Sequence, residues 1–353
     1  SNMQGFLGTM NIAGTTIEYT YPMGGLAIPL TAGDAQYNYG ISFNALQSVT
    51  LDRTKSHLRH QDQGYGPLLA DSLVVNGRLT YLQKLTYHPD GRIASKTEQI
   101  SPDGQAPETV KWDYRYSNGR LVGVDKNGTN VASYGWDGNG NRSGSLVDDQ
   151  DRYISGLGSN WTYDALGHLK TRSDSRGTWT FTYDGLWNLV KAEGPQSISY
   201  VVDARGRRVG RKVGGVLTQG FLYHNQLEPV AELDGSGAVV SRFVYGSRAH
   251  VPDYMIKGGV KYRLVSDHLG SVRLVINSTT GVVASRIDYD VWGNITASTN
   301  LAFQPFGFAG GLRDDATGLV RFGARVYDPL VGRWTGKDAM GFAAGQGNLS
   351  EYC

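Results

Sequence analysis

The sequence has almost no cysteine, little proline and a small excess of charge. Of its 353 residues, 1 is cysteine and 11 are proline. One cysteine, Cys353, excludes an internal disulfide framework and a multi-cysteine zinc site. So little proline excludes a collagen-like or proline-rich disordered chain. With 34 Lys and Arg against 32 Asp and Glu, the net charge of +2 gives no broad field to attract nucleic acid.

Long hydrophobic runs and nucleotide motifs are also missing from the sequence. No stretch approaches 18 apolar residues, so no membrane span is predicted. Without a P-loop or a G-x-G-x-x-G motif we expect no nucleotide cofactor, and no histidine or carboxylate cluster is complete enough to predict a metal. The N-terminus lacks the pattern of a signal peptide. Ser1-Asn2 before Met3 resembles a tag remnant, so we expect a part of a longer protein.

Glycine and tyrosine are what the sequence has in abundance. There are 48 glycines and 21 tyrosines, and 40% of the residues are hydrophobic. Glycine is about twice as frequent as the usual ~7%. Strand-forming aromatic residues combined with so much glycine indicate many short strands joined by tight turns. Glycine or proline interrupts almost every candidate helix, so the sequence predicts an all-β fold.

A short unit recurs along the chain, which is typical of a repeat architecture. Its clearest copies are Tyr163–Leu169 (YDALGHL) and Tyr289–Ile295 (YDVWGNI), while Tyr183–Leu189 (YDGLWNL) carries Trp187 where the glycine is expected. Glycine accepts the positive φ of a tight turn, and the aspartate can accept hydrogen bonds from backbone N–H groups two residues on. Each unit therefore predicts one β-hairpin.

These units resemble the YD repeats of RHS proteins, which are bacterial polymorphic toxins related to the C component of Tc toxins and to teneurins. Asp267–Arg273 (DHLGSVR) is similar to a characteristic family segment. Gly318–Pro329 (GLVRFGARVYDP) is similar to the RHS-associated core, and Gly332-Arg333-Trp334 and Asp338 continue that motif.

The resemblance implies repeated β-hairpins in a curled or spiralling sheet, part of a β-shell or barrel, closed by an RHS-associated core. We expect an N-terminal β region at 1–80, YD repeats at 81–300 and a truncated core at 301–353. The implied function is a structural scaffold that encapsulates and delivers a toxin domain absent from this chain. The implied partners are that C-terminal toxin or its immunity protein and secretion or Tc-type delivery components, and the implied location is bacterial and exported or at the cell surface.

The core also suggests an enzyme, because in several family members it is an aspartyl autoprotease that releases the toxin. Asp328 and Asp338 would then share a proton as a facing pair, with Arg325 or Arg333 holding the carboxylates. Ala339 replaces a proline of the family motif, and we expect this chain not to be active by itself. The alternative is a structural role, with Asp328 in a turn before Pro329 and Arg333 paired to it.

Four smaller predictions concern other residues. A carbohydrate- or protein-binding surface is a third possible function, which a solvent-facing cluster of Trp161, Trp179 and Trp187 would support and burial of all three would exclude. His268 is expected to be hydrogen-bonded in a turn rather than catalytic.

Asp137, Asn139 and Asn141 have calcium-loop spacing but are better explained as a repeat turn. The basic run of Arg205, Arg207, Arg208, Arg211 and Lys212 is expected to be a solvated face rather than a nucleic-acid site.

Overall fold

The chain folds into antiparallel β-strands, which confirms the all-β prediction. The structure is a computed structural model that describes residues 8–12, 14–21, 31–39, 46–62, 65–101 and 106–336. Within these ranges it contains 32 strands and two single-turn 3-10 helices at Leu301–Phe303 and Phe308–Gly310. Clustering of contacts divides the chain into two units.

Unit 1 comprises Ser1–Tyr134, Ser241–Ile287 and Thr299–Phe303. Its first sheet contains twelve strands in chain order: β1 (Thr9–Ile12), β2 (Thr15–Thr20), β3 (Thr31–Ala32), β4 (Ala35–Tyr39), β5 (Leu46–Leu51), β6 (Thr54–Asp62), β7 (Tyr65–Val75), β8 (Arg78–Tyr87), β9 (Ile93–Ile100), β10 (Glu108–Ser117), β11 (Arg120–Lys126) and β12 (Thr129–Ser133).

Unit 2 comprises Gly135–Val240, Asp288–Ser298 and Gln304–Cys353. Its repeat strands pair in chain order and are β13 (Leu146–Val147), β14 (Tyr153–Gly156), β15 (Ser159–Tyr163), β16 (Leu169–Asp174), β17 (Gly177–Tyr183), β18 (Leu189–Glu193), β19 (Ser197–Val202), β20 (Arg208–Val213), β21 (Val216–Tyr223) and β22 (Pro229–Asp234).

The later strands return first to unit 1 and then to unit 2. They are β23 (Val239–Val244), β24 (Tyr254–Lys257), β25 (Val260–Ser266), β26 (Val272–Asn277), β27 (Val283–Tyr289), β28 (Ile295–Thr299), β29 (Leu312–Arg313), β30 (Val320–Phe322), β31 (Arg325–Asp328) and β32 (Arg333–Trp334). Strands β29–β32 form a separate four-stranded sheet in unit 2. Residues 304–336, which contain this sheet, are called the core segment below.

Each unit buries an apolar layer between two groups of strands. In unit 1, Leu73 and Tyr81 of the first sheet share a cluster with Leu274 and Ile276 of β26. In unit 2, Trp161 and Trp179 of the repeat strands share a cluster with Leu319, Val326 and Val331 of the core segment. Strand β17 alternates, because Trp179 and Phe181 are buried whereas Thr178, Thr180 and Thr182 are exposed. The core segment therefore covers the apolar face of the repeats.

Eight of the described repeat turns share one geometry. In eight of the described turns an aspartate Oδ1 accepts hydrogen bonds of 2.8–3.0 Å from the backbone N–H groups two and four residues on, at Asp137, Asp148, Asp164, Asp184, Asp203, Asp234, Asp267 and Asp290. The aspartate N–H also donates to the carbonyl four residues on, as from Asp164 to His168. We call this arrangement the Asp clamp, and it closes a five-residue loop between paired positions such as Tyr163 and Leu169.

Candidate functional site

The candidate site is centred on Asp328, at the end of β31 in the core segment. Its side chain is buried, with 2% of the residue exposed. Oδ2 lies 3.1 Å from Nη1 of Arg172, and Oδ1 accepts a hydrogen bond of 3.1 Å from the backbone N–H of Leu330. The same carboxylate therefore caps a turn and forms a buried ion pair.

Arg172 connects the repeats to the core segment. It lies in β16 opposite Trp161 and Trp179, and none of its side chain is exposed. Its Nε is 3.0 Å from Asp174, and its Nη2 donates to the carbonyl of Thr317. Burial alone would raise the pKa of Asp174, but hydrogen bonds from Arg176 and the charge of Arg172 lower it overall. Arg172 thus faces two carboxylates, Asp174 and Asp328.

A cavity adjoins this ion pair. Its unoccupied space, including the part open to solvent, is about 330 Å³, and Asp328, Arg333, Trp161 and Tyr163 are among its lining residues. Burial, with the Asp328 carboxylate as the second cause, raises the pKa of Tyr163. The site therefore combines a buried charge with an aromatic wall.

The four predicted site residues have different surroundings. Arg333 donates to the carbonyls of Asp151 and Gly140 at 2.5 and 3.1 Å and to Oδ1 of Asn141 at 2.7 Å. The guanidinium of Arg325 lies 3.9 Å from the ring centre of Trp334. Asp338 lies outside the described residues, so its distance to Asp328 is not defined. The structure therefore brings Asp328 and Arg333 to one cavity and gives Asp328 an ion-pair partner, Arg172, that the sequence did not indicate.

Two further charged residues of the core segment bind the repeats. Asp314 accepts hydrogen bonds from the Tyr200 hydroxyl at 2.8 Å and from Arg211 Nε at 3.0 Å. Burial alone would raise the pKa of Asp314, but Arg208 and Arg211 lower it overall. Arg321 Nη2 donates to the carbonyl of Gly206 at 2.5 Å, and burial, with the nearby charge of Arg208 second, lowers its pKa to about 10. Asp314 and Arg321 are both buried, so each charged side chain requires a complementary partner.

The predicted solvated face of the basic run is wrong for Arg208 and Arg211, whereas Arg205 is exposed as expected. Arg208 is 3% exposed, and its guanidinium lies 4.0 Å from the ring centre of Tyr200. Arg207 pairs with Asp203 of its own Asp clamp, and Arg211 pairs with Asp314. The reason is that Arg208 and Arg211, both in β20, face Asp314 of the core segment, whose carboxylate attracts them.

The remaining sequence predictions have mixed outcomes. Trp161 and Trp179 are 2% and 1% exposed whereas Trp187 is 48% exposed, so the three do not form a surface cluster. His268 lies in the Asp267 turn, and its Nδ1 is 3.3 Å from Oε1 of Gln83, as expected of a hydrogen-bonded turn residue.

Asp137 forms an Asp clamp through the N–H groups of Asn139 and Asn141, which confirms the turn interpretation. In the described ranges no group of three His, Cys, Asp or Glu side chains is placed to hold a metal ion. Nor does that part of the chain contain a helix long and apolar enough to cross a membrane.

Comparison with known proteins identifies the family. A family model described as Teneurin YD-shell matches residues 1–346. The chain belongs to the teneurin YD-shell family. This confirms the RHS/YD-repeat resemblance, and the YD-shell match extends through residues 1–80, where the sequence offered only general β character. The chain is thus a structural shell scaffold of the YD-repeat type.

Relatives of this YD-shell chain occur in animals and bacteria. Human Teneurin-4 is 29% identical over 320 residues, which are 85% of this chain and 11% of the relative. The tRNA3(Ser)-specific nuclease WapA of Bacillus spizizenii is 27% identical over 223 residues, which are 57% of this chain and 9% of the relative. The chain therefore spans about a tenth of the length of these curated relatives.

Solved structures give a weaker match to the YD-shell chain. The crystal structure of TcdB2-TccC3-Cdc42 is 17% identical with a TM-score of 0.40, over 97% of this chain and 22% of that chain. The structure of TcdB2-TccC3 is also 17% identical, with a TM-score of 0.38, over 95% of this chain and 23% of that chain.

Proposed function

We propose that this chain is part of the shell of a bacterial polymorphic toxin, exported or displayed at the cell surface, that encapsulates a C-terminal toxin domain. The repeats of 81–300 would make the wall, and the core of 301–353 would close it. The toxin or its immunity protein and the components of a secretion or Tc-type delivery system are the proposed partners. The bacterial nuclease relative supports a toxin context.

One observation carries the scaffold proposal. Four buried charged residues of the core segment each bind a different part of the repeats: Asp314 binds Tyr200, Arg321 binds Gly206, Asp328 binds Arg172, and Arg333 binds Asp151 and Gly140. Such contacts favour one docked position, because any other would leave buried charges without partners. A segment fixed at so many points is suited to closing a structure.

Protection of the cargo from an added protease tests the encapsulation proposal. The full-length protein that contains this chain would be digested under native conditions, and peptides from beyond residue 353 followed by mass spectrometry. We expect those peptides to persist until the shell unfolds, whereas the isolated cargo is digested at once. Equal digestion rates for the enclosed and the isolated cargo, or a reading frame without a cargo, would contradict the proposal.

The second candidate is an aspartyl autoprotease. The observation that favours it is the cavity that Asp328 and Arg333 line, because it brings a buried carboxylate and a guanidinium together. We propose Asp328 and Asp338 as its carboxylate pair, with Arg333 and Arg325 as supporting cations. An enzyme of this type requires the two carboxyl groups within hydrogen-bond reach.

Intact mass distinguishes the two candidates. The full-length protein, its Asp338→Asn variant and, as a matched control, its Asp315→Asn variant would be purified and weighed. Asp315 is a neighbouring core aspartate that pairs with Arg313 at the surface. Cleavage in wild type and Asp315→Asn but not in Asp338→Asn would establish the protease. A single uncut mass in all three proteins would exclude the autoprotease and leave the scaffold as the only one of the two candidate functions.

A further inference from the structure

Unit 1 contains a second cavity, far in sequence from the Asp328 site and with a different lining. Its unoccupied space, including the part open to solvent, is about 460 Å³. Apolar side chains such as Val49 and Leu73 form part of its wall. Its polar lining includes Ser56 and Asp71 of the first sheet and Ser247, Arg248, Asp253 and Arg263 of the later segment.

Arg263 is a buried cation with incomplete hydrogen bonding. The residue is 6% exposed, and its Nη2 donates to Oγ of Ser56 at 3.1 Å. Its distance to Oδ1 of Asp253 is 3.8 Å, which is too long for a hydrogen bond. Within the described part of the chain, the buried Nε and Nη1 atoms have no hydrogen-bond partner. Unmet donors on a buried charge are costly, so this position favours an additional acceptor.

Asp253 does not supply that acceptor in this geometry, because other donors fix the orientation of its carboxylate. Oδ2 accepts hydrogen bonds of 2.7 Å from the Tyr37 hydroxyl and from the backbone N–H of Ser247. Oδ1 accepts a hydrogen bond of 2.5 Å from the Ser247 hydroxyl. These three donors hold the carboxylate away from Arg263. The Nε and Nη1 donors of Arg263 therefore stay unpaired because the orientation of Asp253 is fixed, and a simple rotation of the Asp253 side chain would not pair them.

Asp71 is the other carboxylate of the cavity. Burial raises its pKa to about 6, although the charges of Arg248 and Arg263 and the backbone N–H of Ser72 act in the opposite direction. Asp253 raises this pKa further, and Tyr81 of β8 also interacts with Asp71. The carboxyl group therefore changes from ionised to neutral in mildly acidic solution, which leaves Arg248 and Arg263 with one carboxylate, Asp253, and one positive charge in excess.

We propose that this cavity binds a small carboxylate anion, of the size of formate or acetate, through Arg263 and Arg248. The anion supplies the acceptors that Asp253 cannot provide to Arg263. A neutral Asp71 donates a hydrogen bond to the anion, whereas an ionised Asp71 repels it. Binding therefore strengthens as the pH falls through about 6.

Calorimetric titration with sodium formate tests the proposal, with sodium chloride at equal concentration as the control for ionic strength. If binding requires the neutral form of Asp71, the affinity of the wild type is about 30-fold higher at pH 5.0 than at pH 7.5. The Asp71→Asn variant keeps the shape of the side chain and removes its charge. We expect it to bind formate equally at both pH values, with about the affinity of the wild type at pH 5.0.

Two arginine variants test whether formate binds in the cavity or at another arginine outside it. Arg263→Gln is expected to abolish formate binding, while Arg286→Gln, which removes a cation paired with Glu108 outside the cavity, is expected to retain it. If Arg263→Gln does not fold, the comparison of wild type with Asp71→Asn decides alone. The proposal is overturned if formate gives no saturable heat with Asp71→Asn, or if folded Arg263→Gln binds formate as the wild type does.

Discussion

At the scale of single residues, one carboxylate organises each Asp clamp. In the Asp148 clamp, Oδ1 accepts the N–H groups of Gln150 and Arg152 at 3.0 Å, and Oδ2 accepts Arg152 Nε at 2.7 Å. Burial alone would raise the pKa of Asp148, but these hydrogen bonds with Arg152 and Gln150 lower it overall. The aspartate therefore acts on the turn as an N-cap residue acts on a helix, by satisfying free backbone donors.

Replacing a clamp aspartate should destabilise the fold. We expect Asp148→Ala to lower the free energy of unfolding by about 1–2 kcal/mol, because it removes a charged acceptor from two backbone N–H groups. Asp149→Ala is the matched control, since Asp149 is exposed in the same turn, and it should change the value by less than about 0.5 kcal/mol. Urea unfolding measures both. Equal losses would show that the clamp contributes nothing specific.

The clamps also predict a pH dependence of stability. Burial alone would raise the pKa of Asp164, but hydrogen bonds from His168 and Leu166 lower it overall. The unfolded chain, whose aspartate pKa is about 4, therefore binds more protons than the folded chain as the solution becomes acidic. The stabilisation from Asp164 is present above pH 4 and is lost as the pH falls through the lower folded value.

Asp164→Asn provides the test of this linkage, because asparagine can still accept backbone hydrogen bonds but does not titrate. We expect the difference in unfolding free energy between wild type and Asp164→Asn to shrink steadily between pH 5 and pH 2.5. The measurement is the urea midpoint at each pH. A difference that stays constant over this range would contradict the role assigned to the charge.

The sequence predicted that the turn aspartate accepts a hydrogen bond from the backbone N–H two residues on, but it did not identify every Asp clamp. The Asp148 turn was missed because it has neither the preceding tyrosine nor the glycine, and Asp151 takes the positive φ of 59° instead. An aspartate followed four residues later by Asn, Arg or His would have been a better signal, since these side chains reach Oδ2 at Asn141, Arg152, His168 and Asn188.

At the scale of secondary-structure elements, the fourth position of the turn controls strain. It is a glycine with φ of 86° at Gly237 and a tryptophan with φ of 66° at Trp187. A Cβ added to Gly237 would have nothing within 4 Å, so its conformation rather than its space requires glycine. Trp187 adopts the same region and has its ring centre 5.7 Å from that of His168.

Substitutions in both directions measure this strain. Gly237→Ala should lower the free energy of unfolding by about 1–2 kcal/mol, the cost of the left-handed conformation for an L-residue. Trp187→Gly should change it by less than about 1 kcal/mol, because relief of that cost offsets the lost contact with His168. Thermal or urea unfolding gives both values. A large loss for Trp187→Gly would show that the indole, and not the backbone, stabilises that turn.

The contact between strand β16 and the core segment depends on Arg172. We expect Arg172→Met to lower the free energy of unfolding by about 3–5 kcal/mol, because Asp328 would be left as an uncompensated buried charge. Arg176→Met is the matched control: Arg176 pairs with the same Asp174, but 41% of its side chain is exposed, so its loss should cost less than about 1 kcal/mol.

A double variant identifies the charge responsible. Adding Asp328→Asn to Arg172→Met should recover part of the lost stability, since the uncompensated carboxylate is then absent. If Asp328→Asn instead adds its own full cost to that of Arg172→Met, the two side chains do not interact energetically, and the structural role assigned to Asp328 is wrong.

The sequence could indicate the environment of Arg172 but not its partner. A tight β16–β17 hairpin, with Asp174 paired to Gly177, fixes the register that puts Arg172 opposite Trp179. The burial of Arg172 follows from this local strand pairing. Asp328, however, is 156 residues away along the chain, and only the docking of the core segment brings the two together. Local turn chemistry and strand alternation were therefore predictable, whereas the polar contacts of the core segment were not.

At the scale of the whole molecule, both units use the same clamp in different surroundings. In unit 2 the core segment covers the repeat strands, and its buried charges are matched by Arg172, Tyr200 and the turn carbonyls. In unit 1 the second group of strands leaves a polar cavity around Arg263. A repeated hairpin thus supplies the framework, while non-repeated charges distinguish one unit from the other.

This YD-shell chain is a scaffold, and we propose that it encloses a C-terminal cargo. Single-particle electron cryomicroscopy of the full-length protein tests it most directly, since it shows where the residues beyond 353 lie. The account predicts cargo density enclosed by the YD strands, with Asp328 bound to Arg172 at the closing segment. Cargo density outside the shell, or an empty shell in a protein of intact mass, would contradict it.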